Sequence, residues 1–373
     1  MKRMLAVSMA LMLVAGSAFA ISVSGEVMGR IDVLQGTSGD FDDEVRSGGE
    51  ATRLRLEASG AMADESFGGW LRLEGDILNM FIDRDRAHYE PLPIQGYGWW
   101  QPSPMFWLAI GNNADGFFEQ SGLTAWNFYR AAGSVGITEP GNAWHGGYGH
   151  YWLVFYTAFY EGFDDWGAMM TIRPIPELTL NFGIPFISMA GEPVDIVLQS
   201  LHAQAVFNQA WGGVALSYVG SAADNDAGSI FAYLNLGMVD NLELDFGLGF
   251  HLAGDDPSIG IGLGAQFDVN SDFAIRARVL FYLDTADSST NGLLFDVLPF
   301  FSLAPNLTIF CSLGIALAMP YEGDAVFDWH LNPYVEVGTE WGPRFFAGFR
   351  VWSVGGSDGR VDWAVPVGIR VNF

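Results

Sequence analysis

The sequence predicts an all-β protein, a transmembrane antiparallel β-barrel of about 18 strands, within a range of 16 to 20. Apolar residues alternate with polar residues in runs of about ten, as in strands with one lipid-facing side and one wet side. Beyond residue 20 there is no apolar run of the roughly 18 residues that a helical membrane span needs. Short turns also alternate with long polar connections, which fits a barrel with short periplasmic turns and long external loops.

The composition excludes several other classes of protein. Half of the 373 residues are hydrophobic but only 16% are charged, which suits neither a soluble enzyme nor a disordered chain. The 43 acidic residues outnumber the 17 basic ones, giving a net charge of −26 that would repel nucleic acid. A single cysteine, Cys311, excludes an intrachain disulfide, and no cofactor or metal is expected.

The first twenty residues have the features of an export signal. Lys2 and Arg3 precede an apolar stretch over 4–14, and Ala18 and Ala20 are small residues of the kind that a signal peptidase reads. The alternative, an N-terminal membrane anchor, is disfavoured because the apolar stretch is too short to span a bilayer. We therefore expect residues 1–20 to be removed, which leaves 15 arginines against 43 acids, a net charge of −28, in a single barrel domain over 21–373.

The individual strands follow from the period of two, which places alternate side chains on opposite faces. The last strand shows it best, with Val361, Trp363, Val365, Val367, Ile369, Val371 and Phe373 forming one apolar set. The predicted strands cover 23–33, 51–61, 68–79, 105–112, 148–160, 166–173, 178–184, 198–208, 211–219, 229–238, 242–251, 258–268, 273–283, 293–302, 307–317, 331–341, 344–354 and 361–373. Two weaker segments, 94–100 and 126–137, are interpreted either as strands or as parts of loops.

Aromatic residues cluster near the predicted strand ends. Trp99, Trp100, Phe106 and Trp107 are examples. Amphipathic rings suit the headgroup level of a membrane, so these side chains are expected to form girdles at its two surfaces. Packing on a sheet face and a sugar-stacking surface inside the bore are the alternatives.

The chain resembles Gram-negative outer-membrane porins. The resemblance depends on the signal peptide, the even set of amphipathic strands and the terminal Val371-Asn372-Phe373. It implies export to the outer membrane of a Gram-negative-type bacterium, where lipid and lipopolysaccharide are partners. Phe373 is similar to the signal that such proteins present to the barrel assembly machinery, and a homo-oligomer such as a trimer is expected.

The strand number predicts an aqueous bore, because barrels of 16–18 strands leave a channel. Charged residues of the polar set would line it. If the sheet closes, the last strands lie beside the first and seven arginines share one wall: Arg30, Arg53, Arg55, Arg72, Arg344, Arg350 and Arg370.

The segment 113–144 is the candidate constriction. It is rich in glycine and aromatics and carries Asp115 and Glu119. In general porins a long loop after the fifth strand narrows the bore, so the resemblance implies an eyelet in which Asp115 and Glu119 face the arginines. The alternative is an ordinary external loop.

These observations predict a channel for passive diffusion of small hydrophilic solutes, with a cation preference from the large acidic excess. The main alternative is a barrel without a channel, an adhesin or structural surface protein. A lipid-hydrolysing barrel is less favoured: Ser200 and His202 share a strand face, but in the opposite order to the outer-membrane phospholipase. We therefore expect no catalytic residues and no enzyme.

Overall fold

The computed structural model describes residues 19–37, 46–75, 94–112, 166–185, 200–220, 226–253, 257–284, 290–320, 324–338, 342–353 and 361–373. In this part of the chain, nineteen strands form one antiparallel sheet. No helix in it is both long and apolar enough to cross a membrane. The strands are β1 (Phe19–Thr37), β2 (Arg46–Met62), β3 (Phe67–Gly75), β4 (Ile94–Ser103), β5 (Phe106–Asn112), β6 (Trp166–Ile175), β7 (Leu178–Pro185), β8 (His202–Gln209), β9 (Gly212–Val219), β10 (Asp226–Val239), β11 (Leu242–Ala253), β12 (Ser258–Asn270), β13 (Phe273–Asp284), β14 (Thr290–Ala304), β15 (Leu307–Pro320), β16 (Val326–Gly338), β17 (Pro343–Gly348), β18 (Arg350–Ser353) and β19 (Val361–Asn372).

The sheet closes into a ring. Except for β17 and β18, each strand pairs with the next along the chain, and β1 pairs with both β2 and β19. The closing seam continues to the last residue, because the Gly25 N–H donates to the Phe373 carbonyl at 2.7 Å and the Phe373 N–H donates to the Gly25 carbonyl at 3.0 Å. A closed ring has no unpaired edge, which is a requirement for strands that cross a membrane.

The ring has eighteen strand positions in the described part of the chain. β17 and β18 both lie between β16 and β19 and are separated only at Phe349, so they are two halves of one barrel strand. The predicted fold class and strand number are therefore confirmed, although the strand predicted over 344–354 is broken.

The strands that form the ring are not all the ones predicted from the sequence. The weaker segment 94–100 is a strand, β4, and pairs with β3 and β5. The segments 126–137 and 148–160 lie outside the described residues. β1 begins at Phe19, so its first two residues lie within the predicted signal peptide.

The connections sort by length between the two ends of the barrel. The short connections lie at the end where the chain reaches Phe373: 63–66, 104–105, 176–177, 210–211, 240–241, 271–272, 305–306 and 339–342. The nine connections at the other end include the long ones, such as 113–165 between β5 and β6. This is the expected alternation of periplasmic turns and external loops.

The two faces of the sheet differ as the period of two requires. On β13, Ile275 and Val279 are on the outer face, whereas Arg278 and Leu280 on the inner face are buried. The outer face carries most of the exposed apolar side chains, such as Leu216 and Leu263, which suits contact with lipid.

The inner face is more apolar than the sequence prediction of a polar lining. Met169, Phe231 and Leu280 are fully buried on it. Glycines on the inner faces of β11 and β12 leave space for large inner side chains on the neighbouring strands. They are Gly247, Gly249, Gly260, Gly262 and Gly264. At paired positions on β10 and β13 they lie beside Phe231, Tyr233, Leu280 and Tyr282. Much of the interior is thus packed rather than open to water.

Candidate functional site

The seven predicted arginines lie on consecutive strands of the ring. Arg30 is on β1, Arg53 and Arg55 are on β2, and Arg72 is on β3. The other three, Arg344, Arg350 and Arg370, are on β17, β18 and β19. Ring closure brings these two groups together, and we call the inner face of β17, β18, β19, β1, β2 and β3 the arginine wall.

Carboxylates accompany the arginines along this wall. The Arg72 Nε donates to Glu57 Oε1 at 2.7 Å, and the Arg344 guanidinium donates to Glu336 at 3.2 Å. Arg344 is paired in the sheet with Arg370, so two guanidinium groups lie on neighbouring strands at one level. The Arg72–Glu57 and Arg344–Glu336 pairs keep partial exposure, with Arg344 19% and Glu57 27% exposed at their side chains. Solvent therefore reaches these two ion pairs, whereas Arg350 of the same wall is buried.

The other predicted site residues, Asp115 and Glu119, lie outside the described residues, as does the candidate constriction 113–144. The structure does place the start of this segment directly after the fifth strand, because β5 ends at Asn112 and pairs with β6. This position is the one that the porin resemblance implies.

A cluster of acidic side chains lies about half-way round the ring from β1. Asn235 on β10 donates from Nδ2 to Glu243 Oε1 and to Asp245 Oδ1, both at 2.8 Å. Asp268 on β12 accepts from Gln266 at 3.1 Å, and Gln266 accepts from Arg276 at 2.7 Å. This group of three carboxylates and one guanidinium, the acidic wall, was not singled out as a site from the sequence.

Aromatic side chains form a second inner cluster on β3, β4 and β5. The Tyr97 ring centroid lies 5.5 Å from that of Trp70 and 5.9 Å from those of Trp99 and Trp107. The Arg72 guanidinium lies 4.9 Å from the Trp70 ring centroid. The girdle prediction is therefore wrong for Trp99 and Trp107, which lie on the inner face, whereas Trp100 stacks with Phe67 and packs edge-on against Phe106 on the outer face.

Two rows of inner polar side chains cross the packed part of the barrel. The neutral row runs over β6 to β9: Thr171 donates to Asn181 at 2.8 Å, Asn181 to Gln204 at 2.9 Å, and Gln204 to Ser217 at 3.1 Å. The ionisable row runs over β13 to β16 and contains Arg278, Asp296, Ser312 and His330. Sequence reasoning missed both rows as units, because only the strand register shows which inner residues are neighbours.

Ser200 and His202, the less favoured hydrolase pair, are both buried; His202 begins β8 and Ser200 lies two residues before it. In the described ranges, no group of three or more His, Cys, Asp or Glu side chains is placed to hold a metal ion.

Comparison with solved structures finds this architecture in outer-membrane proteins. A loop L8 deletion mutant of OmpT, an outer membrane protein of Vibrio cholerae, has a TM-score of 0.56 and 12% identity, over 95% of this chain and 100% of its own. The trimer form of in-vitro folded OmpT has a TM-score of 0.56 and 10% identity, over the same shares of the two chains. An anion-selective porin from Comamonas acidovorans has a TM-score of 0.51 and 10% identity, again over 95% and 100%. No protein-family model and no curated protein matches the chain.

This chain has the fold of an outer-membrane, porin-like β-barrel. At such identities the likeness shows the fold alone and assigns no role to any residue of this porin-like barrel.

The prediction that the chain is not an enzyme does not stand. The structures similar to this porin-like barrel include OmpT as well as porins, at identities of 10–12% for OmpT and the porin from Comamonas acidovorans. The shared fold gives no ground for excluding an enzyme, and that exclusion is withdrawn.

Proposed function

We propose that this porin-like barrel is an outer-membrane channel for passive diffusion of small hydrophilic solutes. The observation that carries the proposal is the closed ring of eighteen strand positions, a size at which barrels enclose an aqueous channel. The alternative is a surface barrel without a channel, in which the external loops carry the function. The charged side chains on the inner face do not support that alternative.

The water path follows the arginine wall. The inner side chains of β5 to β10 and β13 to β16 are largely buried, including the neutral row and Phe231, although Ser312 is partly exposed. Arg72 and Arg344 of the arginine wall keep partial exposure. Buried charges without water or partners are costly, so charged side chains collect where water reaches them. Asp115 and Glu119 complete a constriction against this wall if segment 113–144 enters the bore.

The net charge supports a cation preference. The mature chain carries −28, and acids such as Asp40, Asp42, Asp43 and Glu44 precede β2 at the loop end of the barrel. A mouth of one charge sign enriches counter-ions by focused potential. One structurally similar protein is an anion-selective porin, so the sign of the preference depends on this chain's own charges and not on its fold.

The test is electrical recording of the purified, folded protein in planar lipid bilayers. We expect discrete conductance steps, and a reversal potential of cation-selective sign in a KCl gradient. Absence of steps from protein that is shown to be folded by its resistance to detergent unfolding would contradict the channel. Conductance steps with an anion-selective reversal potential would support the channel but overturn the cation preference.

We also propose a homo-oligomer that forms through the outer face of β2 to β4. Gly60, Gly69 and Gly98 leave a shallow groove of about 760 Å³ there, lined by Phe67, Leu71, Trp100, Leu108 and other apolar residues. A trimer form is known for OmpT of Vibrio cholerae, which has the same fold.

Substitution of the groove glycines tests this interface. A Cβ at Gly69 would come no closer than 3.6 Å to another atom, and one at Gly98 no closer than 3.8 Å, so a Cβ fits at either position. Gly69→Leu with Gly98→Leu should fill the groove and convert an oligomer to monomers, as measured by light scattering with correction for detergent. An unchanged mass would contradict this interface, and a monomeric wild type would contradict the oligomer.

A further inference from the structure

Three inner side chains on neighbouring strands are arranged in the order hydroxyl, imidazole, carboxylate. The Ser312 hydroxyl on β15 lies 2.9 Å from His330 Nε2 on β16. Asp296 on β14 places its Oδ1 within about 5 Å of the other ring nitrogen of His330, Nδ1, across β15, and no hydrogen bond joins these two atoms. Each of the three is positioned by a different strand, so the sheet register alone fixes their spacing.

Gly314 has no side chain, which lets the Asp296 carboxylate and the His330 imidazole approach each other across β15. It is paired in the sheet with Asp296 on one side and with His330 on the other. A Cβ at Gly314 would lie 2.3 Å from Asp296 Oδ1 and 2.7 Å from His330 Nδ1, so these two atoms are within about 5 Å of each other. Any side chain at this position would occupy the space that they share.

Arg278 holds the carboxylate in place. Its Nε donates to Asp296 Oδ2 at 2.6 Å, and Arg278 and Asp296 are only 2% and 4% exposed. Because the arginine binds Oδ2, the remaining oxygen, Oδ1, is the one directed at the space above Gly314. A fixed carboxylate near Nδ1 stabilises the imidazolium that forms when Nε2 accepts a proton from a hydroxyl.

We infer that Ser312, His330 and Asp296 form a nucleophilic site that hydrolyses small hydrophilic esters inside the bore. In another part of the wall, hydrogen bonds between uncharged side chains link neighbouring strands, through the neutral row of Thr171, Asn181, Gln204 and Ser217. Ionisable side chains are therefore not needed merely to link strands. Ser312 is partly exposed on the inner face, whereas His330 is buried at 5% exposure behind it. This is the arrangement expected of a nucleophile backed by its base.

The chemistry is an acyl transfer to serine followed by hydrolysis. The Ser312 Oγ bonds to the ester carbonyl carbon while its proton passes to His330 Nε2, and the carbon–oxygen bond to the alcohol breaks as that alcohol takes the proton. Water then gives a proton to His330 and attacks the acyl-serine, which releases the acid and restores the Ser312 hydroxyl. Asn332 is paired with Ser312 on the inner face, so its side-chain amide is the candidate donor to the developing oxyanion.

Labelling of the folded barrel with a fluorophosphonate, a reagent that phosphorylates activated serines, tests the inference. We expect mass spectrometry to find the adduct on Ser312, and p-nitrophenyl acetate hydrolysis to fall at least tenfold in Ser312→Ala. Ser302→Ala, which removes a serine from the inner face of β14, is the matched control and should keep both signals.

Asp296 is a positioning residue, and its role needs a separate readout. Asp296→Asn should displace the pH–rate profile of hydrolysis as well as lower the rate. Because loss of the buried partner of Arg278 can impair folding, Gly314→Ala serves as a second variant. It keeps the Arg278 and Asp296 side chains, but its methyl group would lie too close to Asp296 Oδ1 and His330 Cε1, so at least one of them must shift and the hydrolysis rate should fall. Gly237→Ala, where a Cβ meets nothing within 4 Å, is its control.

An unlabelled Ser312 in the folded wild type would overturn the inference, as would hydrolysis that Ser312→Ala leaves unchanged. The inference relies on the proposed channel only for access of the ester to the bore. Labelling in detergent and conductance in bilayers are separate measurements, so a failed hydrolase and a failed channel give different results.

Discussion

Asn241 shows how a single backbone position stabilises a turn. Asn241 and Glu65 have φ values of 65° and 56°, in short connections at the same end of the barrel. β-Branched residues are strongly disfavoured in this left-handed region, whereas glycine and asparagine tolerate it. We predict that Asn241→Val lowers the free energy of unfolding by about 1–2 kcal/mol, as measured by urea titration of tryptophan fluorescence in lipid vesicles. Asn241→Gly is the control and should unfold at nearly the wild-type urea concentration; equal losses in both variants would contradict the backbone explanation.

Asp64 adds a pH-dependent contribution in the connection between β2 and β3. Its Oδ1 accepts hydrogen bonds from the Ser66 hydroxyl at 2.7 Å and from the Ser66 N–H at 3.1 Å, and these bonds lower the pKa of the exposed carboxyl below the usual aspartate value. Since the folded pKa is lower than the unfolded one, this contribution is present at neutral pH and is lost as the pH falls through the folded pKa. We predict that Ser66→Ala raises the pKa of Asp64, as measured by carboxyl NMR titration. A titration midpoint that Ser66→Ala leaves in place would contradict this assignment.

At the scale of elements, the neutral row ties four strands together through side chains. Asn181 is its centre, since it accepts from Thr171 and donates to Gln204. Asn181→Leu would remove the acceptor of the buried Thr171 hydroxyl and the amide that donates to Gln204, and the loss of a buried hydrogen-bond partner costs about 1–3 kcal/mol. We therefore predict a lower urea midpoint for Asn181→Leu with unchanged conductance, because the row lies away from the arginine wall.

Asn208→Leu is the matched control for that prediction. Asn208 is on β8, in the same strand as Gln204, but its side chain is exposed. This variant should retain the wild-type urea midpoint. A similar loss of stability in both variants would show that the effect comes from the leucine and not from the broken row.

The strands were predictable from sequence where the two faces differ in polarity. β13 and β19 alternate cleanly and lie where the period of two places them. The interruption at Phe349 was not predictable, because the alternation continues through it: Gly348 and Arg350 still share a face.

The register between strands explains why the ionisable row was not predictable. A shift between Ser302 and Ala304, next to the connection at 305–306, moves β14 relative to β15 and so sets Asp296 opposite Gly314. Counting equal steps back from the turn would miss this pairing, since a bulge adds a residue to one strand only. The arginine wall was predictable because it needs only ring closure and not an exact register.

At the scale of the whole molecule, ring closure separates the charges of the bore. The arginine wall draws on both ends of the chain, whereas the acidic wall on β10 to β12 comes from its middle and lies about half-way round the ring. Opposite charges on facing walls produce a field across the path of a solute, which orients dipoles and hydrated ions. The balance between the two walls then adjusts the cation preference that the acidic loops create.

Neutralising the arginine wall should therefore increase cation selectivity. Arg72→Gln removes a positive charge and leaves Glu57 without its 2.7 Å guanidinium partner, and Arg344→Gln does the same for Glu336. We predict that the double variant raises the cation-to-anion permeability ratio by roughly twofold, as measured by the reversal potential in a KCl gradient. Arg173→Gln makes the same charge change on β6, outside the arginine wall, and should shift the reversal potential less than either single substitution. An equal shift would mean that ions respond to the total charge of the barrel and not to the wall, which would place the water path elsewhere.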